Sequence, residues 1–213
     1  MSPESHDQLY ARKLAWIENF IFDESVATTF DDMITRSVPG YRTTLAMIGV
    51  IASRFVTEGS WVYDLGCSLG AGTFIAANAK PGAGYKVVGV DNSEPMLQRC
   101  RQTLKTQPCA AKVEFKNDDI RSTPIENASV VILNFTLQFL PVAERLGVLR
   151  KIAEGLNPGG ALILSEKVHF ASRSQETLLY QLHHDFKRRN GYSDLEISQK
   201  RTALENTLIT ETV

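Results

Sequence analysis

Val62-Tyr63-Asp64-Leu65-Gly66-Cys67-Ser68-Leu69-Gly70-Ala71-Gly72 is an apolar run that enters a glycine-rich turn where a helix can begin. At the end of a parallel strand the chain must turn sharply. Residues with no large Cβ substituent let a ligand approach the backbone, and the following helix offers unpaired N–H groups. The next strand pattern, Tyr85-Lys86-Val87-Val88-Gly89-Val90, ends in Asp91-Asn92. That places a carboxylate roughly 20 residues or a little more beyond the first glycine, where ribose hydroxyls are usually bound. The two signals together point to a nucleoside-bearing ligand.

Composition narrows the class. A chain of 213 residues with 43% hydrophobic and 22% charged residues supports one well-buried core. A formal net charge of −1 gives no general electrostatic footprint for a polyanion, so no direct nucleic-acid partner is expected. The first twenty residues mix His6, Asp7, Arg12, Lys13 and Glu18 among apolar positions, unlike the basic-then-apolar order of a signal peptide. No run is long enough to span a bilayer, and a cytoplasmic enzyme is expected. Cys67, Cys100 and Cys109 form neither a CxxC pair nor an even disulfide set, which suits reduced thiols. Cys67 reads as a small packing residue.

From Ser60 onward strand and helix patterns alternate: strand 61–67, helix about 71–79, strand 85–91, helix about 93–106, strand 112–117, a short connector, strand 128–134, helix about 142–155, strand 160–165. Such alternation requires a doubly wound, mostly parallel sheet with covering helices. The runs Val130-Val131-Ile132-Leu133 and Ala161-Leu162-Ile163-Leu164 suit strands buried on both faces. Asn157-Pro158-Gly159-Gly160 reads as the turn that stops the preceding helix. Helical stretches precede this core up to about Val56, broken at Ser37-Val38-Pro39-Gly40-Tyr41, and two more follow at 174–189 and 195–208. The expected organisation is a single ligand-binding domain over 1–213, with a helical extension (1–56), a Rossmann-like core (57–170) and a helical segment (171–213). A sixth and a seventh strand would ordinarily follow. Their absence before Val213 implies either a truncated chain or a sheet that ends early.

Asp64-Leu65-Gly66-Cys67-Ser68-Leu69-Gly70, Asp91-Asn92, the acidic pair Asp118-Asp119 and Asn157-Pro158-Gly159-Gly160 resemble the class I S-adenosylmethionine-dependent methyltransferase fold. Narrower runs lie outside them: Ile34 to Tyr41, Leu133-Asn134-Phe135-Thr136-Leu137-Gln138-Phe139-Leu140, His183 to Ser193, and Glu196-Ile197-Ser198-Gln199-Lys200-Arg201. With these the chain, from about Phe22 to its last residue, resembles the carboxy-S-adenosyl-L-methionine synthase family, whose members continue for roughly a further strand pair. The resemblance implies that S-adenosylmethionine is the substrate and that prephenate supplies the carboxyl group. Phenylpyruvate and water are released, and the bound product, carboxy-S-adenosylmethionine, serves wobble-uridine modification in tRNA. In the family the departing hydroxide of prephenate is thought to take the methyl proton, and the resulting sulfonium ylide captures carbon dioxide. The resemblance also implies a homodimer and no metal.

The same resemblance assigns roles. Gly66, Cys67 and Ser68 line the methionine end through backbone groups, although most of the superfamily has glycine where Ser68 stands. Asp91 accepts both ribose hydroxyls, as a carboxylate is able to do; Asn92 and Ile120 flank adenine, and Asp119 accepts from its amino group. Asn134 ends the fourth strand, where open α/β sheets place ligands. N-methylating relatives often carry Asn- or Asp-Pro-Pro-aromatic there, so Asn134-Phe135-Thr136-Leu137 argues against that chemistry. Tyr41 contacts the carboxylated or amino-acid end. Arg201 selects the carboxylate, because a guanidinium forms two parallel hydrogen bonds that a methyl group cannot return; it acts in its own subunit or in a neighbour's. Tyr41 and Arg201 are the expected catalytic residues. Two other readings stay open: a conventional methyltransferase, and a non-catalytic nucleoside-binding protein. His183-His184 do not suggest a metal pair, since adjacent helical residues point about 100° apart. Lys187-Arg188-Arg189 read as cations favoured at a helix C-terminus.

Overall fold

A computed structural model of the protein describes residues 6–212. Its elements in chain order are α1 (Glu24–Ser37), α2 (Tyr41–Phe55), β1 (Trp61–Leu65), α3 (Ala71–Ala77), β2 (Lys86–Asp91), α4 (Glu94–Thr106), β3 (Lys112–Asn117), β4 (Ala128–Asn134), a 3-10 turn (Leu137–Phe139), α5 (Val142–Gly155), β5 (Leu156–Ser165), β6 (Val168–His169), α6 (Arg173–Arg189), α7 (Asp194–Leu204) and β7 (Glu211–Thr212). They form two compact units: residues 42–166 and, among the described residues, 6–41 with 167–212. The expected N-terminal extension over 1–56 is therefore divided between them, because Ile48, Ile51 and Phe55 of α2 pack with the sheet core.

In the 42–166 unit five parallel strands run in the order β3-β2-β1-β4-β5. The chain winds outward from β1 through β2 to β3, then crosses to β4, so the order reverses between β1 and β4. Ligands bind beyond the carboxyl ends of the strands at such a switch point. Alternation along the strands sorts the core into two layers. Tyr63, Leu65, Val88, Val90, Val131 and Leu133 face Val148 and Ile152 of α5, while Val62, Val87, Val130, Ile132 and Ile163 pack with Ile48, Ala76 and Ala77. The near-continuous apolar runs thus fill both faces, as a helix-covered parallel sheet requires.

The segment Asn157-Pro158-Gly159-Gly160 departs from the expected simple turn. Leu156 already pairs with Ala128, and the ladder resumes at Ala161 opposite Val130, so these residues form an irregular bulge within β5. Gly159, at φ +79°, supplies the left-handed residue this excursion needs. The last helix also stops at Leu204 rather than 208, and the two-residue strands β6 and β7 pair in parallel, apart from the main sheet.

The second unit is held by polar contacts between distant parts of the chain. Gln199 of α7 accepts from the Leu14 N–H at 2.7 Å and donates to the carbonyls of Tyr10 and Arg12 at 2.9 Å each. Tyr192 donates to Asp7 at 2.6 Å, and the Lys200 ammonium lies 3.8 Å from the same carboxylate. Arg36 of α1 stacks 4.0 Å above the Tyr192 ring and donates to the Asn190 carbonyl at 2.7 Å. The N-terminal segment is thereby strapped onto α7. Among the described residues no helix is long and apolar enough to cross a membrane.

Candidate functional site

The glycine-rich turn leaves β1 in a strained but well-anchored path. Gly66 (φ +75°) directs its N–H, with that of Cys67, to the Val90 carbonyl at 2.8 and 2.9 Å. A Cβ at Gly66 would stand 2.3 Å from the Thr136 methyl group, so only glycine lets the β1 turn approach the loop after β4 this closely. Ser68 (φ +51°) donates its N–H to Asp91 at 2.8 Å and accepts the Cys100 thiol at 3.0 Å. The N–H groups of Gly66, Cys67 and Ser68 are thus committed within the fold, and a ligand meets the turn without them. Cys67 is buried beside Cys100, which together with burial pushes its thiol well above the ordinary range. This supports packing and argues against nucleophilic chemistry.

Asp91 ends β2 with its carboxylate fixed by the N–H groups of Ser68 and Ser93. Burial raises its pKa, partly offset by these bonds. Ser93, not Asp91, caps α4. A carboxylate has about four acceptor positions, and two N–H bonds leave capacity for hydroxyl donors. Asn92 beside it is exposed.

Asp119 and Ile120 follow β3. Ile120 is buried in the sheet core, and its carbonyl accepts Lys151 at 2.6 Å. Asp119 is engaged by the Arg121 guanidinium through Nε at 2.9 Å and through Nη2, and Arg121 also pairs with Glu144 at 2.7 Å. This hydrogen bonding holds the Asp119 carboxyl below the usual range. A neighbouring depression of about 540 Å³ is lined by Asp119, Arg121, Ser122, Glu144, Gly147 and Val148. Any further donor that reaches Asp119 therefore shares its carboxylate with Arg121.

Asn134 closes β4, opposite Ser165 of β5. Its Oδ1 is buried and accepts no hydrogen bond, an arrangement costly unless a donor arrives. The next residue, Phe135, has φ +59°, and the loop is anchored by Glu166, which accepts from the N–H groups of Thr136, Leu137 and Gln138.

Two acidic groups escaped the sequence reading. Asp64, inside the quoted motif, is buried, accepts the Thr73 hydroxyl at 2.7 Å, and is driven by burial to a pKa of about 6. A Cβ at Gly72 would lie 2.9 Å from its Oδ2, so that glycine lets α3 start directly against the carboxylate. Glu166 had one available signal: it follows the last strand at the ligand-bearing end of the sheet.

The other two expected residues belong to the second unit. Tyr41 is buried at the start of α2. Arg201 on α7 is exposed; it donates to the Tyr180 hydroxyl at 2.7 Å and lies over that ring, which stacks on His184 at 4.0 Å. Lys187, expected as a cation favoured at a helix C-terminus, lies in the last turn of α6 and is half-buried there; burial followed by repulsion from Lys167 lowers its pKa to about 8. Arg188 does bridge Asp185 and Asp194 at the surface. His183 binds the Ser37 carbonyl at 2.8 Å and burial lowers its pKa to about 4, so near neutrality it is an uncharged N–H donor.

Comparison with known proteins agrees with this geometry. The methyltransferase domain family matches residues 62–160, spanning the glycine turn, Asp91 and Asn134. Among solved structures, the CcbJ methyltransferase from Streptomyces caelestis superposes with a TM-score of 0.52 at 24% identity, covering 66% of this chain and 55% of that one. A Methanococcus maripaludis protein gives 0.53 at 18% identity over 91% and 88%. These establish the fold. The carboxy-S-adenosyl-L-methionine synthase of Pasteurella multocida is 54% identical over 207 residues, 97% of this chain and 86% of the relative. That of Glaesserella parasuis is 56% identical over 94% and 83%, and that of Hahella chejuensis 51% over 99% and 87%. With the parallel sheet, the glycine turn and the open acceptor at Asn134 in place, the chain belongs to the carboxy-S-adenosyl-L-methionine synthase family of enzymes, built on the class I methyltransferase fold.

Proposed function

We propose that this enzyme converts S-adenosylmethionine and prephenate into carboxy-S-adenosylmethionine, phenylpyruvate and water, and so supplies a donor for wobble-uridine modification in tRNA. The observation that carries the reading is 54% identity over 97% of the chain to a synthase of that name. In this reading Asp91 receives the ribose hydroxyls, Asn92 and Ile120 flank adenine, and Asp119 accepts its amino group. Gly66, Cys67 and Ser68 border the methionine end, and Asn134 offers its buried Oδ1 to the ligand's ammonium group. Tyr41 contacts the methionine or carboxylated end. Arg201, already hydrogen-bonded to Tyr180, holds the carboxylate introduced on the methyl carbon. Atoms balance: prephenate loses carbon dioxide and hydroxide to become phenylpyruvate, hydroxide takes one methyl proton to become water, and carbon dioxide joins the methyl carbon. No metal is required in this scheme, and the enzyme works in the cytoplasm.

The reading includes a homodimer. Leu178, Leu179 and Leu182 form an exposed apolar row on α6, a helix with no fully buried residue, and such a surface suits a second copy better than water. Light scattering after gel filtration tests this; a monomeric mass at micromolar concentration removes it. The activity is tested by incubating the purified protein with S-adenosylmethionine and prephenate and analysing products by mass spectrometry. The expected result is a nucleoside heavier by one carboxyl group together with phenylpyruvate. S-adenosylhomocysteine formed on addition of an acceptor would instead identify a conventional methyltransferase, and binding without turnover a nucleoside-binding protein.

A further inference from the structure

The loop after β4 is fixed by a residue thirty positions away. Glu166 Oε1 accepts from the N–H groups of Thr136 at 3.2 Å and Leu137 at 2.8 Å, and Oε2 accepts from Gln138 at 3.1 Å. The first N–H groups of a helical turn have no partner within the turn, and the 3-10 turn begins at Leu137. A carboxylate is the side chain able to accept all three at once. The preceding residues are held from the same strand end: Phe135 N–H donates to the Ser165 carbonyl at 2.7 Å. Phe135 keeps φ +59°, a conformation that persists in a non-glycine residue only when its surroundings over-determine it. On one side of this strained residue stands Asn134, with its buried and unpartnered Oδ1. On the other stands Thr136, whose side chain occupies the space left by the missing Cβ of Gly66.

We infer that Glu166 is a positioning residue for the reaction: by holding the N–H groups of residues 136–138 it sets the aim of the Asn134 amide and the spacing between the β4 loop and the glycine turn. It touches no ligand in this scheme and acts through Asn134 and Thr136. The inference rests on the proposed role of Asn134 as a contact to S-adenosylmethionine. Neutralising Glu166 replaces one acceptor by an NH2 group that faces a backbone N–H, which frees the turn to rotate while leaving side-chain volume unchanged.

The experiment is a double-mutant cycle on full-length protein, with affinity for S-adenosylmethionine read by calorimetry and folding read by the urea midpoint. Glu166→Gln is expected to weaken binding about tenfold or more, and Asn134→Ala by a comparable factor. The double variant is expected to bind no more than about twofold worse than Asn134→Ala, because both act through one amide. Glu166→Asp, which keeps the charge, is expected to recover part of the loss and serves in place of Glu166→Gln should that variant not fold. Binding by Glu166→Gln within twofold of the parent overturns the inference. So does a double variant whose loss is the product of the two single losses, the mark of a merely structural contribution. Failure of the parent protein to bind S-adenosylmethionine would overturn the proposed function itself, a result distinct from either.

Discussion

The two units are stabilised by opposite means. In residues 42–166 the central strands β1, β2 and β4 bury their aliphatic side chains almost completely, Val62, Leu65, Val87, Val90 and Leu133 at 0% exposure. In the unit formed by 6–41 and 167–212 the long helix α6 buries no residue fully. The groups buried there include Asp7, Arg36, Tyr192, Gln199 and Lys200. One unit is a hydrophobic sandwich that tolerates small losses of polar contact; the other depends on a charged network whose members are expensive to leave alone. The difference predicts where each unit fails.

The largest effect is expected from Leu133→Ala in the sheet core. Truncating a fully buried leucine costs about 4 kcal/mol, transfer and cavity together. Hydrogen exchange followed by mass spectrometry should show the loss across β1, β2 and β4. Exchange that accelerates equally in α6 and α7 would mean that the two units unfold as one, and the comparison would break.

Next comes Asp7→Ala. It leaves the Tyr192 hydroxyl and the Lys200 ammonium without their shared carboxylate. Removing one partner of a buried pair costs about 3 kcal/mol, at the low end of its range because Lys200, with a pKa near 7, releases its proton at little cost. Faster exchange confined to residues 8–14 and to α7 is the expected result, and an unchanged exchange pattern would show that the strap contributes nothing.

This contrast also sorts what the sequence made legible. β3 and β4 were readable to the residue and α5 closely, because apolar runs bounded by Asn, Pro or charge carry their own limits. The bulge at 157–160 was not, because Pro-Gly-Gly signals a turn equally well when the strand has already begun. β6 and β7 are two residues each, too short for any periodicity. At the site, Asp91 and Asn134 stand at strand ends where topology puts ligands. Glu166, Asp7 and Gln199 act over separations of 28 to 30, 185 and up to 189 residues, which local patterning cannot register. The helix-end position of Lys187 was readable, but its half-burial was not, because burial of a charged group depends on what other segments bring against it.

A smaller effect separates the units by pH. In the 42–166 unit burial raises the pKa of Asp64 to about 6, and raises Asp91 and Glu166 as well. The folded unit then binds more protons than the unfolded chain, so these groups make it lose stability as pH rises from about 4 to 6. In the other unit burial lowers His183 to about 4, Lys200 to about 7 and Lys187 to about 8. There the unfolded chain binds more protons, and the same groups raise stability as pH climbs from about 4 to 6.5 through His183 and from about 7 to 10.5 through the lysines. Region-resolved hydrogen exchange, corrected for intrinsic rates, should therefore show protection falling in the sheet and rising in α6 and α7 between pH 4.5 and 6.5. Asp64→Asn should flatten the first trend alone. Trends of equal sign in both regions would contradict the assignment.

The smallest effect tests a surface ion pair that stands on an expected ligand contact. Arg121 is about half exposed and bridges Asp119 to Glu144. Exposed pairs of this kind lose in side-chain entropy and solvation most of what they gain by attraction, so Arg121→Ala should leave the urea midpoint unchanged within error. Its consequence lies in ligand affinity. With Arg121 in place the Asp119 carboxylate is already satisfied, and a weakly donating amino group gains little by joining it. Removing the guanidinium frees both oxygens, so binding of S-adenosylmethionine should tighten modestly, and Asp119→Asn should weaken binding more in the Arg121→Ala background than in the parent. Equal effects of Asp119→Asn in both backgrounds would show that Arg121 and the ligand use different parts of the carboxylate.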